Sequence, residues 1–185
     1  MLIKVVLGLM LALATHFSWA GVAHYNQLKI HKETSQSLLM EFTVNPSQLM
    51  HQLLAPTMPF AAFLLQYSTF PEEALQRELT KAINKFEGEC FVLQSSGTKR
   101  AIKLSEIPSA AELKLLLQRN LLILDLTGNL QAHMEPIVLK ASTVSKTPLH
   151  RVKLYVSPAV FPIQVQYQQD VLGLTAQIPM ALYDF

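Results

Sequence analysis

The side chains best suited by type to hold a transition metal are His24 and His31. Cleavage of a leader after Ala23, with Gly21 and Ala23 as the small residues, makes His24 the new N-terminus. A free amine and an imidazole then form a chelate for copper or nickel, with His31 or a methionine as co-ligand. Cleavage after Ala20 removes that chelate. Met40, Met50 and Met58 carry soft thioethers, but Met40 falls in an alternating apolar stripe and Met50 beside Leu49 and Leu53, the pattern of core filling. The remaining mature histidines, His51, His133 and His150, are scattered, and no Cys-x-x-Cys, His-x-x-x-His or His-Glu-x-x-His spacing occurs. On a strand, His133 and Met134 point to opposite faces and do not share an ion.

Other chemistries find less support. The Gly-x-Ser-x-Gly elbow of many serine hydrolases is missing, and the Asp residues are only Asp125, Asp170 and Asp184. The six Gly are scattered, so neither phosphate-cradling loop pattern is formed. Cys90 is the single cysteine, which forbids an internal disulfide, and its setting in Cys90-Phe91-Val92-Leu93 is that of a small buried hydrophobe. A hydrolase remains open as an alternative whose groups converge only in the fold. Lys99, Arg100 and Lys103 form a cluster too short for a nucleic-acid groove, and a formal net charge of +2 excludes a basic field of the kind nucleic acids select.

Two apolar features suit contact with a partner rather than catalysis. Phe60, Phe63, Tyr67 and Phe70 lie between prolines, as core or as the lining of a groove. Gln164, Gln166 and Gln168 alternate with Ile163, Val165 and Tyr167. Uncharged amides protect a strand poorly if it is terminal in its sheet, so this segment is a candidate for strand addition.

The elements that must position these groups begin with an export signal. Lys4 supplies the positive charge, Val5 to Ala14 an unbroken apolar run, and Ser18-Trp19-Ala20 a small-x-small cleavage site, so residues 1–20 read as a signal peptide. Ten apolar residues span about 15 Å as a helix, half of a ~30 Å hydrocarbon core. The mature chain carries no apolar run long enough to cross a bilayer, and residues 21–185 read as one soluble domain. With 50% hydrophobic and 15% charged residues, it has the composition of a folded chain.

Ser37 to Val44 alternates as a half-buried strand, with Tyr25 to His31 as its hairpin partner. Asn45-Pro46 opens a short helix to Leu54, and aromatic residues at helical spacing follow Pro59. Pro71 to Phe86 carries an apolar stripe, Leu75, Leu79, Ala82, Ile83 and Phe86, with Gly88 placed to stop it. Cys90 to Gln94 and Arg100 to Leu104 flank a hairpin turn. Ser109 and Glu112 form a capping box for a helix to about Asn120. Strands are then expected at Leu121 to Leu126, Gln131 to Met134, Ile137 to Ser142, His150 to Val156, Ile163 to Gln168 and Leu172 to Ile178. Helices in the centre and strands at both ends predict an α+β fold: an N-terminal hairpin, central helices and a C-terminal antiparallel sheet or small sandwich.

The functional expectation is an exported protein of the cell envelope, periplasmic in a Gram-negative bacterium. It acts without catalysis as an accessory or binding protein for another envelope component. No cofactor is implied, copper or nickel being the alternative.

Overall fold

The computed structural model describes residues 26–128, 135–168 and 170–184. The architecture is α+β, with helices gathered in the centre of the sequence and strands on either side of them. The expected signal peptide, His24 and the strand expected at Gln131 to Met134 lie outside the described residues.

The N-terminal hairpin forms as its alternation dictates, β1 at Asn26–Lys32 and β2 at Ser37–Val44. Leu38, Met40, Phe42 and Val44 all face inward. Asn45 then caps α1 (Pro46–Leu54), its side-chain oxygen accepting the Gln48 amide at 3.0 Å. Two further helices follow, α2 (Phe60–Ser68) and α3 (Glu72–Lys85). α3 does not stop at Gly88. It widens into a π-helical turn, Phe86–Cys90, which keeps Phe86 and Cys90 buried. Gly88 has no left-handed φ there and is not a helix stop.

The next hairpin pairs β3 (Phe91–Ser95) with β4 (Thr98–Arg100) through Ser96 and Gly97, whose φ angles of 50° and 78° are those of a tight primed turn. The single strand expected over Arg100 to Leu104 is instead two, because the chain changes sheets at Ala101 and Ile102 and continues as β5 (Lys103–Glu106). α4 runs from Ala110 to Thr127, opened by the Ser109–Glu112 capping box and closed by Gly128 at φ 64°. The strand expected over Leu121 to Leu126 is therefore helix. A short apolar run fits either state by periodicity, and four leucines favour the helix already under way. Thereafter come β6 (Ile137–Val144), β7 (Arg151–Val156), β8 (Ile163–Tyr167), β9 (Asp170–Leu174) and β10 (Met180–Asp184).

These strands build two sheets. The larger has six strands in the order β5-β6-β2-β1-β8-β9, and the smaller four in the order β10-β7-β3-β4. All pairs are antiparallel except β1 with β8, where Asn26 meets Ile163 and Ile30 meets Tyr167. The inner face of the larger sheet is divided between two covers. Over β5 and β6, α1, α3 and α4 close on Leu104 and Leu139 around an apolar cavity of about 40 Å³. Nearer β8 the smaller sheet lies across, with Tyr167 set edge-on to Tyr183 at 5.3 Å.

The two covers meet at three phenylalanines. Phe42 of β2 lies 5.3 Å from Phe86 of the π turn and 4.4 Å from Phe91 of β3, and Phe86 lies 5.1 Å from Phe91. All three are buried. Polar ties complete the helical layer: buried Asn120 of α4 donates to Ser47 of α1 at 2.8 Å, and Lys85, nearer the surface, donates to the Leu53 carbonyl at the end of α1 at 2.8 Å.

Replacing Phe42 by Ala removes the ring shared by both layers and leaves a cavity, which costs about 3–5 kcal/mol. The expected result is a lower urea midpoint with one cooperative transition; a loss under about 1 kcal/mol contradicts a central role for this ring.

The α4 capping box is also a pH sensor of stability. Hydrogen bonds from the Ser109 amide and hydroxyl hold the Glu112 carboxyl below the usual glutamate range. A group whose folded pKa is depressed stabilises the fold above its unfolded value and loses that contribution as pH falls through the folded one. Stability should thus decline from about pH 5 downward, and Glu112→Gln should flatten this acid limb when urea midpoints are compared across pH.

Candidate functional site

The aromatic segment is placed first by α2. Phe63 and Tyr67 are buried, so they are core and not surface contacts. Phe60 and Phe70 sit at the two ends of the row and are part-buried against it. The rings run Phe60, Phe63, Tyr67, Phe70, with centroid spacings of 6.2, 4.3 and 4.9 Å. His51, a scattered histidine with no partner in its spacing, completes the row. Its ring lies 5.2 Å from both Phe60 and Phe63, and its Nε2 lies 2.6 Å from the Met58 carbonyl oxygen. That contact closes the loop between α1 and α2, which is a structural use of the imidazole.

His31 is exposed on the outer face of the larger sheet, with Nε2 3.8 Å from a Glu41 oxygen. Among the described residues, no three His, Cys, Asp or Glu side chains are grouped to hold a metal ion. Gln164 and Gln166 share that outer face, half-buried opposite Gln27 and Lys29 of β1. Gln168 stands in the turn after β8 at φ 54° and donates to the Tyr167 hydroxyl at 3.2 Å. The condition for strand addition at this segment is not met, because β8 is paired on both sides, with β1 and with β9. The edge lies one strand further out.

The outer face of the larger sheet is built as a solvated surface. Gln166, Lys29, Glu41 and Lys140 face one another in register across four strands. Lys140 closes the row on Glu106 at 3.0 Å. Alternating amides and opposite charges suit water and supply no apolar contact.

An exposed apolar stripe lies on α4. Leu115, Leu122 and Leu126 are 66%, 58% and 73% exposed. At 100° per residue they lie within about 40° of one another around the helix, in a stripe about 16 Å long. The same helix buries Leu113, Leu117 and Asn120 on its other side. Arg119, the charge within the stripe, is drawn aside to Glu135 at 2.8 Å. The stripe is not legible when Leu121 to Leu126 is read as a strand, because Leu122 and Leu126 then belong to a different element from Leu115 and have no fixed alignment with it.

Beside the stripe an open groove of about 510 Å³ runs between α4 and the start of β6. Ile107, Leu115, Leu116 and Leu139 give it apolar walls, Val138 lies along its sheet edge, and Glu106, Glu112 and Arg119 stand at its polar positions. A concave site of this size, with apolar walls and a few polar groups, is large enough to hold a small ligand or a short peptide segment. Cys90, the one thiol, lies elsewhere in the core, and burial together with the Glu89 charge pushes its pKa up to about 12. Comparison of the chain with protein-family models and with curated proteins finds no match. Among the described residues, no helix is long and apolar enough to cross a membrane.

Because the Cys90 thiolate is disfavoured by burial, a maleimide or disulfide reagent at about pH 8 should label the folded protein far more slowly than the urea-unfolded one. Equal rates in the two states contradict the buried, structural assignment.

Proposed function

We propose that the protein is exported to the cell envelope, to the periplasm in a Gram-negative cell, and acts there without catalysis as an accessory or binding protein for another envelope component. The export half of this reading is supported by Lys4, the apolar run from Val5 to Ala14 and the Ser18-Trp19-Ala20 cleavage pattern. The single observation that carries the binding half is the leucine stripe on α4. One exposed leucine is ordinary on a protein surface. Three in line on one helix, next to an apolar groove, make a contiguous patch of the kind that association covers.

Binding by this patch gains from apolar area, and two of the charges beside it are already paired within the chain. Arg119 is held by Glu135 and Glu106 by Lys140. The patch therefore favours a partner that brings its own apolar surface, and its affinity should depend weakly on salt.

A photo-crosslinking residue placed at Leu115 or Leu122 in the exported, full-length chain should yield a discrete adduct with another envelope component in living cells. The same residue at Gln27, on the charged outer sheet face, should not. Leu122→Glu should abolish capture by a crosslinker at Leu115 while leaving the unfolding midpoint within about 0.5 kcal/mol, since the site is exposed. Adducts of equal yield from both faces, or retention of the chain in the cytoplasm, overturn the reading.

A further inference from the structure

The groove has a floor with hydrogen-bonding capacity as well as apolar walls. β6 begins at Ile137, yet β5 pairs with it only opposite Lys140, Ala141 and Ser142. After Glu106 the β5 chain leaves the sheet through Ile107 and Pro108 and enters α4. The Ser105 hydroxyl donates to the Lys140 carbonyl at 3.2 Å, which places the Lys140 backbone groups on the β5 side. Along an antiparallel strand these groups alternate in direction. Val138, two residues earlier, therefore turns its N–H and C=O the same way, into the groove and past the end of β5.

Where β5 is present, its own outer edge is closed. Glu87 of the π turn accepts the Leu104 amide at 2.9 Å and pairs with Lys103 at 2.6 Å. A carboxylate laid on a strand edge in this way blocks addition of another strand. The edge of the sheet is thus guarded along β5 and opens where β5 ends, over Ile137 to Leu139, about 10 Å of strand.

Charge narrows the occupant further. Glu106 is paired with Lys140, Arg119 with Glu135, and Glu112 is held by Ser109. The charged side chains lining the groove are all engaged within the chain, so the groove complements an uncharged occupant and not a carboxylate, phosphate or headgroup. An acyl chain is also uncharged along its length, but it leaves the inward-turned Val138 N–H and C=O without partners, which is costly once water is displaced. An extended peptide satisfies both.

We propose that the groove takes an extended, uncharged peptide segment of a partner protein, which adds to β6 as a short antiparallel strand in the line of β5. Its backbone bonds Val138, and apolar side chains at alternate positions pack on Leu115, Leu116 and Ile107. The inference rests on the reading of the chain as a binding protein and specifies the site and the chemistry of what it binds.

The test uses the full mature chain and a displayed library of random linear heptapeptides. Selection should enrich uncharged sequences with apolar residues at every second position, and the enriched peptide should protect the Val138 amide from hydrogen exchange. N-methylation of the backbone nitrogen that faces Val138 should weaken binding by about ten-fold or more. Val138→Pro should weaken it similarly, because it removes an N–H that β2 does not use. Leu115→Glu, at an exposed position, should reduce binding without altering the unfolding midpoint, so that loss of fold is not mistaken for loss of the site. No enrichment over the Leu115→Glu protein, full affinity of the N-methylated peptide, displacement of the peptide by dodecanol, or self-association of the chain through this groove each overturns the inference. A partner crosslinked at Leu122 alongside an unenriched library discards the strand-addition site and keeps the binding reading. No partner and no enrichment discard both.

Discussion

Every layer of this molecule is fixed against the ring of Phe42. It projects from β2, the strand third from one edge of the larger sheet, and touches Phe86 at the end of the helical hairpins and Phe91 at the start of the smaller sheet. The chain between those two phenylalanines is the π-helical turn, so the widening of the helix is what lets both rings point at the same target. The extra residue in the turn is a cost in hydrogen-bond geometry offset by aromatic packing on two sides.

The same turn also governs the surface. Glu87, one residue after Phe86, reaches the exposed edge of β5 and takes up its Leu104 amide and Lys103 ammonium. The helical layer therefore sets where the larger sheet is closed to other chains as well as how it is held from within. On the far side of β5, Pro108 and the Ser109 cap redirect the chain into α4, and the space left over β6 becomes the groove. Core packing, edge protection and the candidate binding surface are consequences of how the chain leaves α3 and enters α4.

Local chemistry was legible in the sequence wherever one residue's side chain settles its neighbour's backbone. The Asn45 cap, the Ser109–Glu112 capping box and the β1–β2 alternation all lie where the residue types put them. Legibility failed where the deciding partner is distant. Leu121 to Leu126 has no period that separates strand from helix, and the helix continues through it to the Gly128 cap, packing Leu121 and Leu124 against the core. Arg100 to Leu104 reads as one strand because nothing local announces a change of sheet at Ile102, a fully buried residue between the two. Whether the Gln-bearing strand is an edge is not written in its own residues, because sequence cannot show that β1 lies along it, in parallel, and β9 on its other side. The groove was invisible for a related reason: it is a gap between elements, and its apolar walls carry the same residue types as a core.

That parallel pair has a bearing on how the protein reaches its native state. Asn26 opens the first strand and Ile163 the eighth, and nothing between them can stand in for their contact. The amino-terminal hairpin must wait with one side of β1 unsatisfied until β8, far along the chain, is available to pair with it. Contacts so far apart in sequence are slow to form, because a long loop must close before they are rewarded. The interval between the first hairpin and the eighth strand is a period in which an exposed sheet edge meets other unfolded chains. The separation of this pair in sequence thus marks the β1 edge, which β8 later covers, as sheet surface left open until the fold is nearly complete.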